Sequence, residues 1–569
     1  MYSDKKNILQ LVALMKEHLV SRVVISPGAR NFPIAQSLAE CGEFSCYSVV
    51  DERSAGFMAL GMAQFYSKYT VALCCTSGSA ALNYAPAVAE AWHRNIPLLI
   101  ITADRPAAWL GQLENQIIRQ SDIFGSFVKM SVTLPEIRTK EDEWHCNRLI
   151  NEALLEVNYS RPGPVHINIP IPEPLFEFPV ETLPKVRVIR RDSLKDSLYT
   201  TDDINRSFGD RFGFFDRPMI LLGQQDYNGV ECMIIPAVFE HVKGMKCVLL
   251  GEHLAVTFET PTIIRNFDSI LHALPESAWS SYAPDLLITT GGQVISKQIK
   301  KFLRTHKPRE HWHVSPWGEI VDTYQCLTHA ITSTFSRFID ALMSANHEKP
   351  PRETLPYFTG WYSFSEQIPP PTPDYSSMMA IGELMKAITG PAELHLANSS
   401  AVRHALLFPL KGRIEVRANR GTSGIEGCVS TALGAAISKM SEPTYVITGD
   451  LAFFTDINAL WNYYIVRRTR LRILLNNNGG GAIFGALEGF YDYDIESHNF
   501  ALALHNTSAK EWALDRGIAY LEVHNADDLR NYMPAFIDRE VDGTIIMEVF
   551  SNTTFDNYEL YAYHDSIKL

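Results

Sequence analysis

Two polar turns in the last third of the sequence carry residues suited to bind a metal ion. Gly449 and Asp450 follow the apolar run TYVIT, and the turn NNNGG at 476–480 follows the apolar run LRILL. Asp450 and Asn477 are 27 positions apart, about the length that a strand–helix–strand unit needs to bring neighbouring strand ends together. A carboxylate, an amide oxygen and the carbonyl of Gly479 are hard donors, which suit Mg²⁺ completed by phosphate oxygens and water.

The same two turns favour a bound phosphate. Gly449 lets the backbone come close to an anion, and the helix predicted after it presents free N–H groups. The alternative is that both segments are ordinary polar turns, which is the better interpretation of either turn taken alone. Their spacing on a strand–helix–strand pattern favours a magnesium–phosphate site.

Short β-rich runs alternate with helical patterns along the whole chain. The predicted strands include RVVISPG, TVALCCTSG, IPLLIITAD, RPMILLGQ, MKCVLLGE, PDLLITTGG, AELHLANS, PTYVITGD, LRILLNNNGG and GTIIMEVF. This alternation is typical of α/β sandwiches with mainly parallel sheets, whose ligands bind beyond the carboxyl ends of the strands. Proline-rich stretches at 162–184 and 350–373 indicate connectors, because proline ends helices and central strands. The sequence therefore predicts three consecutive α/β sandwich domains, at 1–185, 200–345 and 375–569.

Composition narrows the class of protein. The 569 residues carry a net charge of −13 and no basic run, which argues against a nucleic-acid partner. Nine scattered cysteines without a C-x-x-C pair suit a reducing cytosol better than a disulfide framework or a structural zinc. The longest apolar runs are strand-sized, and Lys16, Glu17 and His18 interrupt the apolar N-terminal segment at helical spacing. We expect a cytoplasmic protein without a membrane span.

The GD…NN spacing resembles the metal-binding signature of thiamine-diphosphate enzymes. The resemblance implies thiamine diphosphate as cofactor, with Mg²⁺ (or Mn²⁺) held by Asp450, Asn477 and the Gly479 carbonyl. It also implies the three-domain fold of this family, with an N-terminal pyrimidine-binding domain, a middle domain and a C-terminal diphosphate-binding domain. Ile425 matches the bulky aliphatic residue that supports the bent cofactor. The cofactor-binding positions implied in this way are Gly449, Asp450, Ser423, Ile425, Asn477 and Gly479.

A thiamine cofactor also needs a carboxyl group, because its aminopyrimidine removes the reactive proton only when a carboxyl pairs with the ring nitrogen. Glu52 fits, since in CYSVVDERSAGF it ends a predicted strand and opens a helix. Acids at helix starts are also favoured by the helix dipole, which is the structural alternative for Asp51 and Glu52. The metal motif favours Glu52 as the activating catalytic residue. In the family, two subunits share each site, which implies a homodimer or a dimer of dimers (a homotetramer).

A more particular set of motifs runs through the first and third predicted domains. These are ISPGARNFP at 25–33, DERSAGF at 51–57, TSGSAALNYAPAVAEA at 76–91, TADRP at 102–106, ENQIIRQ at 114–120, NSSAVRHA at 398–405, NRGTSGIEG at 419–427 and NNNGGGAIF at 476–484. Together they resemble the 2-succinyl-5-enolpyruvyl-6-hydroxy-3-cyclohexene-1-carboxylate synthase family of menaquinone biosynthesis, with only a faint match in the middle domain. The resemblance implies a transferase that decarboxylates 2-oxoglutarate and adds the resulting succinyl unit to isochorismate in a 1,4 sense.

Substrates with several carboxylates call for arginines, whose planar fork binds a carboxylate through two hydrogen bonds. The alternative for any single arginine is an ion pair at the surface or between domains, and for the apolar positions it is core packing. The resemblance implies that Ser399, Arg403 and Arg420 face the 2-oxoglutarate-derived part, that Arg30, Arg105, Asn115, Gln116 and the middle-domain Lys297 face isochorismate, and that Ile483 and Phe484 form an apolar wall.

Two departures from the family and two other functions stay open. Ala29 stands where many relatives have serine, and Gln298 stands where a basic residue follows the lysine, so a hydroxyl and a charge are missing from the isochorismate side. One alternative function is another thiamine-dependent 2-oxo acid decarboxylase or carboligase of the acetolactate synthase type, although the middle domain has no convincing dinucleotide fingerprint. The other is a non-catalytic paralogue that binds cofactor, against which the presence of Glu52, Asp450 and Asn477 counts.

Overall fold

Three parallel sheets with helices on their faces form the protein, which confirms the predicted α/β class. The computed structural model describes residues 1–65, 69–191, 208–225, 247–255, 262–346, 356–486, 489–490 and 495–569. The sheets have the strand orders β2-β1-β3-β4-β6-β5, β11-β10-β9-β7-β8 and β13-β12-β14-β15-β17-β16. Each sheet lies within one predicted segment, and the domain bounds 1–185, 200–345 and 375–569 stay a proposal.

The strands are short and mostly buried on both faces, as expected where helices cover a parallel sheet. The first sheet contains β1 (Val20–Ile25), β2 (Ser45–Ser48), β3 (Thr70–Cys75), β4 (Leu98–Asp104), β5 (Ser131–Thr133) and β6 (Val165–Pro170). The second contains β7 (Pro218–Leu222), β8 (Val248–Gly251), β9 (Leu286–Thr290), β10 (Glu310–Ser315) and β11 (His329–Thr332). The third contains β12 (Ala392–Leu396), β13 (Ile414–Arg417), β14 (Thr444–Gly449), β15 (Leu471–Asn477), β16 (Ala519–Val523) and β17 (Ile545–Phe550).

Helices connect these strands. Those before residue 200 are Lys6–Glu17, Phe32–Cys41, Glu52–Ala63, Ser79–Asn83, Ala85–His93 and Lys140–Glu156. Those from 200 to 370 are Asp210–Phe212, Phe267–Ala273, Trp279–Tyr282, Lys297–Thr305, Phe335–Asn346 and Pro356–Gln367. The remaining helices are Ser377–Ala387, Ser400–Ala405, Cys428–Ser438, Asp450–Thr455, Tyr463–Val466, Ile495–Leu502, Lys510–Asp515, Ala526–Phe536 and Thr553–Ser566. None of the helices in the described ranges is both long and apolar enough to cross a membrane.

The proline-rich stretches contain regular structure that the connector interpretation missed. The buried strand β6, Val165–Pro170, lies between β4 and β5 in the first sheet. Pro164 precedes this strand and Pro170 ends it, so neither proline removes a hydrogen bond from the middle of the sheet. In the second stretch, Pro356 opens the helix Pro356–Gln367, a position where proline costs no helical hydrogen bond.

The helix that begins at Glu52 packs closely on the C-terminal part of the same chain. It contacts the helix Cys428–Ser438 at two glycines, Gly61 and Gly434. A Cβ atom at Gly61 would lie 2.0 Å from the carbonyl oxygen of Thr431, and one at Gly434 would lie 2.1 Å from that of Met58. No side chain fits at either distance, so glycine permits this crossing and fixes where the Glu52 helix lies.

Buried histidines make the fold sensitive to acid. His166 on β6 is fully buried between the hydroxyls of Thr102 and Ser131, and burial lowers its pKa to about 3. Burial likewise lowers the pKa of His253 to about 3 and that of His404 to about 4. Because the unfolded chain binds these protons from about pH 6.5 downward and the folded chain does not, stability is fully present above that pH and is lost as the pH falls.

Replacing His166 by glutamine is therefore expected to flatten the decline in stability between pH 6.5 and pH 4. A group that titrates only in the unfolded state lowers the free energy of unfolding by up to about 1.4 kcal/mol per pH unit. Unfolding measured across this pH range for the wild type, His166→Gln and the exposed control His524→Gln checks the result. An unchanged slope in His166→Gln would contradict the assignment.

Candidate active site

The two turns predicted to bind a metal lie side by side at the carboxyl edge of the third sheet. β14 and β15 are neighbouring parallel strands, with Gly449 paired to Asn476. The backbone N–H of Gly480 donates to Oδ2 of Asp450 at 2.9 Å, and Nε2 of His505 lies 3.4 Å from the same oxygen. The fold therefore brings the predicted carboxylate and the predicted amide turn together.

Asp450 carries a carboxylate that is costly to bury. Only 2% of the residue is exposed, and burial raises its pKa, against the lowering effect of the Leu451 and Gly480 N–H groups and of His505. A buried carboxylate with this environment is stabilised in its ionised form by a nearby cation. The electrostatics of Asp450 thus fit a divalent metal.

Asn477 and Gly479 supply further oxygens. The Nδ2 group of Asn477 donates to the carbonyl of Thr507 at 2.8 Å and to Oε1 of Glu548 at 2.7 Å. Both amide hydrogens are then used, and Oδ1 is the side-chain atom that is left to contact a cation. The Gly479 carbonyl accepts one hydrogen bond, from the N–H of His505 at 3.1 Å, and keeps a second lone pair. Together with the Asp450 carboxylate, this donor set fits the oxygen preference of Mg²⁺.

The turn after β15 requires glycine for its shape. Gly479 has a φ of +79° and Gly480 a φ of +153°, values that other residues rarely adopt. A Cβ atom at Gly480 would also lie 2.5 Å from the carbonyl oxygen of Leu502. These glycines keep the backbone of the turn close to Asp450.

A cleft of about 830 Å³, including its mouth open to solvent, lies beside the turns. Its lining includes six predicted site residues, namely Ser399, Ile425, Gly449, Asp450, Ile483 and Phe484. No atom lies within 4 Å of where a Cβ of Gly449 would be, so the backbone there is open to a ligand. In the described part of the chain, Oδ1 of the lining residue Asn476 is buried without a hydrogen-bond partner, as expected of an atom meant for a ligand.

Two predicted arginines contact the lining of this cleft. Nη1 of Arg420 donates to Oδ1 of Asn398 at 2.7 Å, and Nη1 of Arg403 donates to the carbonyl of Ser399 at 2.6 Å. Burial lowers the pKa of Arg420, and the charge of Arg403 lowers it further. Nε of Arg420 has no hydrogen-bond partner among the described residues. The two guanidinium groups are therefore close cations with donor capacity left for a carboxylate.

The loop that carries Arg420, Ser423 and Ile425 is fixed by a residue that sequence reasoning missed. Glu90, fully buried in the N-terminal half of the chain, accepts hydrogen bonds from the N–H groups of Gly421 and Thr422 at 2.9 and 2.6 Å. The Thr422 hydroxyl donates to it as well, at 2.8 Å. The only sequence signal was an acid within the apolar helix APAVAEAW, which does not reveal a partner 331 positions away.

Two further residues of the cleft escaped the sequence analysis. His404 and Asp556 both line it and are buried. Asp556 accepts hydrogen bonds from the hydroxyl of Ser377 at 2.6 Å and from Nδ2 of Asn478 at 2.8 Å, which ties the Asn-rich turn to the C-terminal helix. Nδ1 of His404 has no hydrogen-bond partner within the described ranges. His404 lies in the motif NSSAVRHA but was not selected from it, and Asp556 belongs to none of the motifs named above.

Glu52 lies at the carboxyl edge of the first sheet, at the first position of its helix. Asp51 has a different role. Its carboxylate caps the helix by accepting a hydrogen bond from the N–H of Ser54, and it accepts another from Nδ2 of Asn458. Burial raises the pKa of the half-buried Glu52, and the charge of Asp51 adds to the rise. The residues that line the cleft all lie between 377 and 557, so Glu52 of the same chain is not among them.

The residues expected on the isochorismate side are more dispersed. Arg30 is buried, donates to the carbonyl of Ile171 at 2.8 Å and pairs with Glu173 at 3.1 Å. Arg105 directly follows β4 and lies 3.8 Å from Glu114. The neighbouring Asn115 and Gln116 are exposed. Arg30, Arg105 and Glu52 share the carboxyl edge of the first sheet, because β1, β2 and β4 are parallel.

Lys297 is exposed at the start of its helix in the middle segment. Lys300, one turn later, is half-buried and lines a separate small cleft with Gln293. Burial lowers the pKa of Lys300, and the charges of Arg420 and Arg403 lower it further. Lys300, which the sequence analysis did not select, is therefore the lysine of this helix that adds to the arginine pair's positive field.

Two models of known protein families match the chain. Residues 9–123 match the thiamine pyrophosphate enzyme N-terminal TPP-binding domain, and residues 402–549 match the corresponding C-terminal TPP-binding domain. The two matched segments contain Glu52 and the Asp450–Gly479 region, respectively.

Full-length relatives are more specific. The chain is 46% identical over 570 residues to the 2-succinyl-5-enolpyruvyl-6-hydroxy-3-cyclohexene-1-carboxylate synthase of Bacteroides thetaiotaomicron, covering 100% of both chains. It is 44% identical to the synthase of the same name from Phocaeicola vulgatus, covering 100% of this chain and 99% of the relative. With that of Flavobacterium psychrophilum it shares 34% identity over 96% of each chain. The chain therefore belongs to the 2-succinyl-5-enolpyruvyl-6-hydroxy-3-cyclohexene-1-carboxylate synthase family of thiamine-diphosphate enzymes.

Proposed function

We propose that this protein decarboxylates 2-oxoglutarate and adds the succinyl unit to isochorismate, giving 2-succinyl-5-enolpyruvyl-6-hydroxy-3-cyclohexene-1-carboxylate for menaquinone biosynthesis. Thiamine diphosphate and Mg²⁺ are the proposed cofactors. The observation that carries the proposal is a cleft lined by Asp450, Asn476 and Asn478, whose lining residues Asn398 and Ser399 accept hydrogen bonds from Arg420 and Arg403. Full-length identity to synthases of that name supports the choice of substrates.

Each part of the chain has a defined task in this proposal. Asp450, Asn477 and the Gly479 carbonyl hold the metal, and Gly449 admits the diphosphate. When bound, thiamine diphosphate supplies the electron sink for decarboxylation and carbon–carbon bond formation. Glu52 would hold the proton that the pyrimidine ring of the bound cofactor needs, and its raised pKa favours keeping that proton. Arg403 and Arg420 bind substrate carboxylates. An apolar wall of the cleft limits the access of water to the reacting carbon. That wall consists of Ile483 and Phe484, and Ile425 supports the bent cofactor.

We further propose that the protein acts as a homodimer, or a dimer of dimers, in the cytoplasm. The lining of the cleft ends short of the first sheet, whose carboxyl edge carries Glu52, Arg30 and Arg105. A second copy of the chain would supply that edge. A cytoplasmic location is consistent with the eight cysteines of the described ranges, all of which are free.

The direct test mixes the protein with thiamine diphosphate, Mg²⁺, 2-oxoglutarate and isochorismate, and detects the succinylated cyclohexene product by mass spectrometry. Carbon dioxide should be released from 2-oxoglutarate and not at a useful rate from pyruvate. Release from pyruvate alone would favour an acetolactate synthase-type carboligase. Tight binding of thiamine diphosphate without turnover of any 2-oxo acid would favour a non-catalytic paralogue.

Replacing Arg420 by methionine is expected to raise the KM for 2-oxoglutarate by about 10- to 100-fold, because a hydrogen bond to a charged group contributes roughly 1.5–3 kcal/mol. Steady-state kinetics with each substrate varied in turn checks the result. The exposed Arg530→Met serves as control and should leave both KM values unchanged. A rise confined to the KM for isochorismate would show that Arg420 binds isochorismate and not 2-oxoglutarate.

A further inference from the structure

Glu548 is a fully buried carboxylate next to the predicted metal turn. It lies on β17, the strand adjacent to β15, and pairs in register with Leu475, two residues before Asn477. A buried carboxylate needs hydrogen-bond donors on its oxygens, because an unpaired buried charge is strongly destabilising. The donors that Glu548 recruits define its role.

Four groups donate to the Glu548 carboxylate. Oε1 accepts from Nδ2 of Asn477 at 2.7 Å, and Oε2 accepts from the Tyr520 hydroxyl at 2.6 Å and the Ser508 hydroxyl at 2.9 Å. The N–H of Ala509 donates to Oε2 at 3.0 Å. With partners from three separate segments, the carboxylate has little freedom to turn, and the amide that contacts it is held equally firmly.

The contact with Asn477 has a direct consequence for metal binding. An asparagine amide can be placed in two orientations, which exchange its oxygen and its nitrogen. An ionised carboxylate and a carbonyl only accept hydrogen bonds, so the NH₂ group of Asn477 must face Glu548 and the Thr507 carbonyl, and Oδ1 is directed away from both. The opposite orientation would turn two N–H hydrogens toward a cation, which they repel. We propose that Glu548 is a positioning residue that selects the metal-binding orientation of Asn477.

This inference rests on the proposed function, because it assumes that Asn477 is a metal ligand. The competing possibility is that Glu548 only anchors Ser508, Ala509 and Tyr520 within the fold. The two differ in what a variant changes. A positioning residue affects the dependence of cofactor binding on Mg²⁺, whereas a purely structural anchor affects the stability of the protein alone.

The test is calorimetric titration of thiamine diphosphate into the full-length protein at a series of Mg²⁺ concentrations. Glu548→Gln is expected to raise the apparent Kd for Mg²⁺ by about 10- to 100-fold, the usual effect of losing a partner that orients a metal ligand. Glu393→Gln is the matched control. Glu393 is also a fully buried carboxylate of the third sheet, but it pairs with Arg417 at the opposite, amino-terminal edge. This control should lose stability without a change in Mg²⁺ dependence.

A double-mutant cycle separates the two possibilities further. In an Asn477→Ala background the ligand is absent, so adding Glu548→Gln should leave the apparent Kd for Mg²⁺ nearly unchanged. An equal loss of Mg²⁺ affinity in both backgrounds, or an unchanged Kd for Mg²⁺ in Glu548→Gln alone, would overturn the proposal.

If Glu548→Gln does not fold, Tyr520→Phe replaces it, since this variant removes one hydrogen-bond donor to Glu548. The apparent Kd of Tyr520→Phe for Mg²⁺ should exceed that of Glu393→Gln. Equal values in the two variants would contradict a positioning role for Glu548. Mg²⁺-dependent binding by the wild type separately tests the proposed function.

Discussion

Turnover is expected to fall by about 10²- to 10⁴-fold when Glu52 is replaced by glutamine, the range usual for a residue that handles a proton in the reaction. Glutamine keeps the size of the side chain but cannot hold the proton shared with the cofactor ring. Glu52 opens a helix that follows a strand of the first sheet, whereas Asp450 and Asn477 lie at strand ends of the third sheet, so Mg²⁺-dependent binding of thiamine diphosphate should largely survive.

Two measurements define this outcome, the rate of product formation and the Kd for thiamine diphosphate. Both are also made on the control Glu43→Gln. Glu43 is an exposed acid of the same sheet region that pairs with Lys16. Asp51→Asn is a second comparison, because Asp51 caps the helix and should affect stability more than turnover. A near-normal rate in Glu52→Gln would show that another group activates the cofactor.

The second large effect, on Mg²⁺ binding, is expected when Asp450 loses its carboxylate. Asp450→Asn removes the carboxylate charge from the proposed metal site, and the apparent Kd for Mg²⁺ in the presence of thiamine diphosphate is expected to rise by about 100-fold or more. Activity should fall with it and recover only partly at high Mg²⁺. In the absence of ligands the variant should be at least as stable as the wild type, because burial of the charged carboxylate is costly.

Calorimetric titration and thermal unfolding, each with and without Mg²⁺ and cofactor, check this prediction. The exposed Asp527→Asn is the control and should behave as the wild type. Unaltered Mg²⁺ dependence in Asp450→Asn would remove Asp450 from the proposed ligand set, which would then contain no acidic residue.

Mixing the two inactive variants tests the shared site. In a heterodimer of Glu52→Gln and Asp450→Asn, one of the two sites would receive Glu52 and Asp450 from unaltered regions of opposite chains. Random exchange of subunits should restore about a quarter of the wild-type rate, since half of the dimers carry one intact site. Recovery of no activity after verified subunit exchange would indicate that each chain supplies both residues to its own site.

The sequence was informative where a feature depends on neighbouring residues. The runs before Gly449 and Asn476 are apolar and rich in strand-forming residues, and each is followed by a polar turn, so their positions on adjacent strands could be predicted. The prolines led to a wrong prediction of a connector, because the effect of a proline on a strand depends on its position in that strand. Val165–Pro170 is a strand of the first sheet because Pro164 and Pro170 stand at its ends, which composition alone does not distinguish from a connector.

The sequence by itself determined the α/β class, the turns that carry Asp450 and Asn477, and the strand–helix junction at Glu52, because local patterning and short spacing set these features. Only the tertiary structure revealed that Glu90 accepts hydrogen bonds from the Arg420 loop and that Glu548 accepts one from Asn477. It also distinguished the exposed Lys297 from the half-buried Lys300. These contacts join residues between 71 and 332 positions apart. Such pairs form when sheets and helices pack, and no local preference of the chain encodes them.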